Sequence, residues 1–284
     1  MKLPDVSPIL ELISLVLGSA GVKGRRPLSV LLCAPPDSGK TVWVMDRFSE
    51  NEGVHRANMV TQIGLMRYLS KEDRHKKLHH IMIPDMNMLL SEGSSSGETI
   101  TRSFMALNYD AVSNYHTLYL SQLHVDRPII VGIATSITPG VLKKHRAKWV
   151  ETGFLRRFLP ISYAYTAEQA EGVRELCLRG LNIKPPPIPL DYEFWDQEIT
   201  PRYNHTKTLL GVINGIVQNQ DFRGESSMGI TPAEMFHTLV LSHARQRRSP
   251  EADGSDVAAL IRLSKYINYD MLPLPTLTSK ALDE

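Results

Sequence analysis

The stretch "LSVLLCAPPDSGKT", residues 28–41, decides how the rest of the chain reads. Its first half, 28–34, is apolar and runs straight into a polar loop that ends in Gly39, Lys40 and Thr41. A short apolar run of this kind fits a strand buried on both faces of a parallel sheet. A loop after such a strand holds phosphate when three conditions are met. Its backbone N–H groups turn inward, a lysine reaches the outer phosphates, and a hydroxyl beside it holds Mg²⁺. Lys40 and Thr41 supply the lysine and the hydroxyl. The pattern is A-x-x-x-x-G-K-T, with Ala34 where a glycine usually stands. Pro35 and Pro36 remove two N–H groups, at early positions that contribute least to an anion nest. Ala34, Pro35, Pro36, Asp37, Ser38, Gly39, Lys40 and Thr41 are therefore the candidate nucleotide-binding residues, with ATP and Mg²⁺ as the ligands. The alternative is a chance GKT in a strand-to-helix turn.

Working outward, "TVWVMDRFSE" (41–50) reads as a helix, and further strands are expected at 57–65, 79–85, 128–136 and 159–165. Helical stretches fall between them, which predicts an α/β fold with a five-stranded parallel sheet flanked by helices. Ligands of such sheets sit at the carboxyl ends of the strands. Asp85, Thr135 and Ser136 fall there. Asp85 is the candidate Mg²⁺ carboxylate with Thr41, acting through water; the alternative is a strand-end turn residue. Met86 and Asn87 follow it, where a glutamate would polarise the attacking water. Glu92 and Glu98, in a serine-rich loop expected at 91–99, are the remaining candidates for that base, against the ordinary reading of solvated loop glutamates. Slow hydrolysis, or hydrolysis completed by another subunit, is the expectation.

The chain has 284 residues, 42% apolar and 22% charged, with a net charge of +2. Bulk charge therefore demands no nucleic-acid partner, and binding to an acidic polymer would need local patches. Four basic clusters exist, at 23–26, 71–80, 143–148 and 245–248. Lys143, Lys144, Arg146 and Lys148 are the candidate DNA contacts; a solvated face is the alternative. Cys33 and Cys177 have no metal-binding spacing and read as two reduced, buried thiols. The apolar segment 7–21 is too short to span a bilayer and is interrupted by Glu11, so it reads as an amphipathic core helix. No signal peptide is recognised, and a cytoplasmic location without a membrane partner is expected. Composition shifts after Thr166, which predicts a nucleotide-binding domain over 1–166 and a small all-helical lid domain over 167–284, with a proline-rich link at 184–191.

Together these residues resemble the AAA+ ATPases, and among them the minichromosome-maintenance helicases and related phage or mobile-element ATPases. "SVLLCAPPDSGKT" is similar to their Walker A strand and loop, and "HHIMIPD" to Walker B in its first acid only. "VTQIGL" is similar to the segment after their second strand, and "DVAALIRLSKYI" to the last lid helix. "IATS" stands where the sensor-1 residue belongs, which implies Thr135 or Ser136. "FLRRF" resembles the arginine-finger segment, which implies Arg157, with Arg156 as the second choice, acting on a neighbouring subunit. The arginine near the start of the lid helix falls on Ser255 here, leaving Arg262 as the candidate sensor 2. The resemblance implies a homo-oligomeric ring or spiral, hexamer-like, with ATP between subunits.

Three readings follow. In the first, the oligomer acts on DNA as a small helicase, a helicase loader or a remodeller, with a partner helicase or another replication or mobile-element protein. In the second, it is a nucleotide-gated scaffold that hydrolyses poorly and binds a protein. The third is a monomeric P-loop enzyme such as a small-molecule kinase.

Overall fold

The computed structural model describes residues 2–71, 77–90, 95–110, 112–115, 123–179, 185–190, 198–202, 206–218, 230–269 and 272–281. In chain order its strands are β1 (Lys2–Pro4), β2 (Val30–Cys33), β3 (Val54–Arg56), β4 (His80–Ile83), β5 (Val112–Tyr115), β6 (Leu123–Ile129), β7 (Gly132–Ile137), β8 (Leu159–Ser162), β9 (Thr200–Pro201), β10 (Glu251–Ala252) and β11 (Ser279–Ala281). The α-helices are α1 (Ser7–Gly18), α2 (Gln62–Leu69), α3 (Ser95–Met105), α4 (Pro139–Glu151), α5 (Ala167–Leu178), α6 (Thr206–Gln218), α7 (Ile230–Gln246) and α8 (Gly254–Leu263).

The central sheet has five strands in the order β3-β4-β7-β2-β8. All its pairings are parallel. The apolar runs made this sheet legible, because β2, β4, β7 and β8 are buried along their whole length. Side chains alternate between two apolar layers. Val30, Leu32 and Ala34 face a cluster that includes residues of α1, α6, α7 and α8. Leu31 and Cys33 face a second cluster built with α2, α3 and α4. The helices after residue 206 thus share one core with α1 and the sheet, so the compositional shift at Thr166 does not mark a break in the packing.

The outer edge of β8 is covered by the C-terminal segment. Asn268 N–H donates to Pro160 O at 3.1 Å, and Ala164 N–H donates to Pro275 O at 2.8 Å. An edge covered in this way offers no free row of backbone groups to another chain.

Three expectations need correction. No residue of 57–65 is in a strand: β3 is three residues long and ends just before it at Arg56, and Gln62 opens α2. Thr61 Oγ1 accepts the Gly64 N–H at 3.1 Å, so a helix cap outcompetes the strand. The run 128–136 is divided: Ile129 ends β6 and Gly132 begins β7. Part of the loop placed at 91–99 is helix α3; residues 91–94, Glu92 among them, lie outside the described residues.

Gly132 marks a close approach. A Cβ there would lie 2.3 Å from the His80 ring and 2.5 Å from Leu28 O. His80 is buried, with Nε2 3.0 Å from Leu28 O, so the neutral imidazole donates its Nε2–H to that carbonyl. Burial pushes the His80 pKa down to about 3. In the unfolded chain the ring takes up a proton near pH 6.5, while the folded ring stays neutral, so stability falls as pH drops below that value. Between pH 6.5 and 5 this group alone contributes a loss of about 2 kcal/mol. Urea midpoints at pH 7 and pH 5 measure it, and His80→Gln should flatten the difference.

The C-terminal helices are locked by a buried carboxylate. Asp256 in α8 accepts from Arg247 Nε at 2.8 Å and Nη2 at 2.7 Å, and His243 Nδ1 lies 2.6 Å away. Burial pushes its pKa up, but the bonds from Arg247 and His243 outweigh that and hold the carboxyl below its ordinary value. Asp256→Ala removes the buried carboxylate that Arg247, His243 and the Asp253 N–H share, while the exposed Arg247 keeps Asp253 and solvent. A loss of roughly 2 kcal/mol in urea unfolding is expected. Among the described residues, no helix is long and apolar enough to cross a membrane.

Candidate functional site

β2 delivers its loop at the carboxyl edge of the sheet, between the ends of β7 and β8. Ala34 is fully buried, faces the α1 layer, and donates its N–H to Ile137 O at 3.3 Å. It is not among the residues with positive φ, so a side chain fits where a glycine is common. The chain turns through left-handed conformations at Asp37 (φ 57°) and Gly39 (φ 70°) instead. Gly39 is required twice over, since a Cβ there would also press to 2.9 Å from the Trp43 indole. Among the described residues, the backbone N–H groups of Asp37 and Gly39 make no backbone hydrogen bond.

Side chains hold this turn from both sides. Ser38 Oγ donates to Pro35 O at 2.7 Å. Tyr163 Oη donates to Ser38 O at 3.0 Å, and Tyr165 Oη donates to the same carbonyl. Burial keeps both phenols protonated well above their ordinary range. Lys40 is buried, and its Nζ reaches back to Pro35 O at 3.4 Å. Burial pushes the Cys33 thiol up to about 12 against the opposing pull of Lys40, so Cys33 is an inert packing residue. Cys177, in contrast, is exposed, which corrects the expectation of two buried thiols: α5 turns Gly172 and Leu176 inward and leaves Cys177 outside.

The expected helix after the loop is instead a five-residue π-helical turn, Lys40–Val44, followed by a four-residue 3₁₀ turn, Met45–Phe48. Val42, Trp43 and Val44 are poor helix formers, which fits the broken geometry.

Asp85 arrives by register. Ile83 pairs with Thr135, and Ile137 pairs with Cys33. Asp85, two residues beyond Ile83, is therefore level with the end of β2, about 10 Å across the intervening β7. Thr135 Oγ1 donates to Ile83 O at 2.8 Å, and Ser136 Oγ donates to Pro84 O. Both hydroxyls thus fix the backbone that presents Asp85. Asp85 itself accepts the Asn87 N–H at 2.9 Å, and Asn87 Oδ1 accepts from Thr138 N–H at 3.4 Å. Met86 is fully buried in the layer with Ile83 and Ile133, so the position of the usual glutamate points into the core. Glu98 is also committed elsewhere: it is ion-paired with Lys148, which holds its carboxyl below the usual range.

Among the described residues there is no cluster of three His, Cys, Asp or Glu side chains. Mg²⁺ bound to phosphates needs no such cage, since it keeps waters and takes one or two protein ligands. Thr41 and Asp85 fit that requirement. An open cleft of about 720 Å³ adjoins the loop, lined by Pro35, Asp37, Ser38, Tyr165, Val173 and Arg174 among others. Sequence reasoning missed this wall and the two tyrosines; the "YAY" beyond β8 was the available signal.

The candidate finger lies at the other end of the sheet. Arg156 and Arg157 precede β8, whereas the loop follows β2. A four-residue strand spans about 13 Å, so Arg157 is out of reach of its own loop. Its Nη1 donates to Gly153 O at 3.2 Å and lies 3.4 Å from Met105 Sδ. Arg262 makes a two-pronged pair with Glu11 at 2.6 and 2.8 Å, and Ser255 Oγ donates to Asp253 as part of a helix cap.

The basic clusters differ in kind. In α4, Leu142 and Trp149 are buried, Lys143, Lys144 and Lys148 are exposed, and Arg146 is half-buried. The 245–248 cluster is largely structural: Arg245 Nη1 donates to Gly18 O at 3.1 Å and Arg247 holds Asp256. Residues 72–76 of the second cluster lie outside the described residues. Compared with protein-family models and with curated proteins, the chain matches none.

Proposed function

We propose that the chain binds Mg-ATP on the 34–41 loop and uses the nucleotide to set its state of assembly, hydrolysing it slowly. The observation that carries this reading is the loop itself. It joins a left-handed Gly39 to a buried Lys40, at the carboxyl end of a central parallel strand and level with Asp85. Lys40 would reach the outer phosphates, and Thr41 and Asp85 would hold Mg²⁺, which supplies charge neutralisation at the phosphates. Slow turnover is supported by the burial of Met86 and the pairing of Glu98, which among the described residues leave no carboxylate next to Asp85 in the role of base. A subunit interface is supported by Arg157, whose distance from its own loop suits a role on a neighbour's nucleotide. A separately moving lid gains no support from helices that share their core with the sheet.

Sedimentation with and without Mg-ATP tests the proposal. Larger particles with ATP and a low phosphate-release rate support it; a single copy at saturating ATP contradicts it. A second reading, an AAA+ ring acting on DNA as a helicase or loader, is favoured by the exposed Lys143 and Lys144 on α4. It requires single-stranded DNA to raise ATP turnover severalfold.

A further inference from the structure

The geometry points to a second anion site, at the amino edge of the sheet, that receives the phosphoryl end of a polyphosphate. A cavity of about 270 Å³ opens there between the segment before β2, the turn after α3 and the first turns of α7. Tyr109 forms part of its wall. The guanidinium carbons of Arg26 and Arg157 lie 5.0 and 5.4 Å from the centre of that ring. Arg26 also donates to Tyr109 O, and Asn108 Nδ2 donates to Arg157 O at 3.0 Å, so both arginines are held in place. Arg157 Nε is buried and has no acceptor among the described residues. Arg25 lines the same cavity, and among the described residues Glu234 is the one carboxylate on its wall.

Among the described residues, three guanidinium groups against one carboxylate make the wall of the hollow net positive. The amino end of α7, a helix of 17 residues, adds its partial positive charge through Thr231. Planar arginine forks suit phosphoryl oxygens, and stacking on a tyrosine pre-orders them. A volume of about 270 Å³ is below that of pockets that enclose a whole drug-sized ligand. The arginines of its wall select an anion, and their forks suit the phosphoryl end of one. That end has two sources: a free polyphosphate, or the terminal phosphates of ATP held on the loop of a second copy. The second source rests on the function proposed above; the anion site itself does not.

The test uses pyrophosphate as the probe and Lys40→Ala protein, in which the loop is disabled, in a low-salt calorimetric titration. Saturable binding of one pyrophosphate per chain is expected. It should weaken at least tenfold when Arg26→Ala is added, and fall steeply as salt is raised. Arg26 is exposed, so its removal should spare the fold, and an unchanged urea midpoint checks that. No saturable binding, or binding that ignores the loss of both Arg26 and Arg157, overturns the site. The source is then read by mixing Lys40→Ala with Arg26→Ala chains in Mg-ATP. Assembly in the mixture but in neither variant alone means that a second copy supplies the phosphate. Pyrophosphate binding without assembly in any mixture means a free anion. If wild-type protein fails to bind Mg-ATP, the loop reading fails while the pyrophosphate result stands by itself.

Discussion

Lys40→Ala is expected to lower Mg-ATP affinity by about a hundredfold or more while changing unfolding free energy by less than about 1 kcal/mol. The two halves of this prediction come from one observation. The Lys40 ammonium is buried, yet among the described residues its one hydrogen-bond acceptor is Pro35 O, at 3.4 Å. A cation held in this way gains little for the fold, because its desolvation is hardly offset. Its return comes with a phosphate, where charge-assisted bonds are strong. Alanine removes the charge and leaves the turn, which Ser38, Tyr163 and Tyr165 hold independently. Calorimetric titration with Mg-ATP gives the first quantity and urea unfolding the second. Equal losses in both would mean that Lys40 is a structural residue.

Met86→Glu is expected to destabilise the chain by about 4 kcal/mol or more and to bring no gain in hydrolysis. The change installs the glutamate that the resemblance to AAA+ ATPases leads one to expect after Asp85. Met86 is fully buried, in the layer that holds Ile83, Ile133 and Phe104. A carboxylate there loses the methionine's packing and has to be buried without a partner or stay protonated. Neither state polarises a water in the cleft. Urea unfolding and phosphate release measure the two effects. A stable variant with faster turnover would mean that position 86 faces the nucleotide, and the account of slow hydrolysis would then be wrong.

What could be read from the sequence follows from burial. "VLLC", "HIMI" and "LPIS" are continuous apolar runs, and each is a strand covered on both faces. The turn after β2 was legible because the glycine it needs, Gly39, stands within it. Where reading failed, a local preference or a distant contact decided. Thr61 caps a helix inside what read as a strand. Val42, Trp43 and Val44 break the helix after the loop. The helices after residue 206 show amphipathic spacing, but spacing does not say which surface covers the apolar face, and that surface is the sheet. Met86 and Asn87 were visible as departures, while the burial of the first came only with the fold. The Arg26–Tyr109 pair joins residues 83 positions apart and left no signal in the sequence.

The most direct test of the central claim is a calorimetric titration of the wild-type chain with Mg-ATP. The account predicts saturation by one nucleotide per chain with a dissociation constant in roughly the micromolar range, lost on removal of Mg²⁺ or of the γ-phosphate. No binding at millimolar Mg-ATP would contradict it.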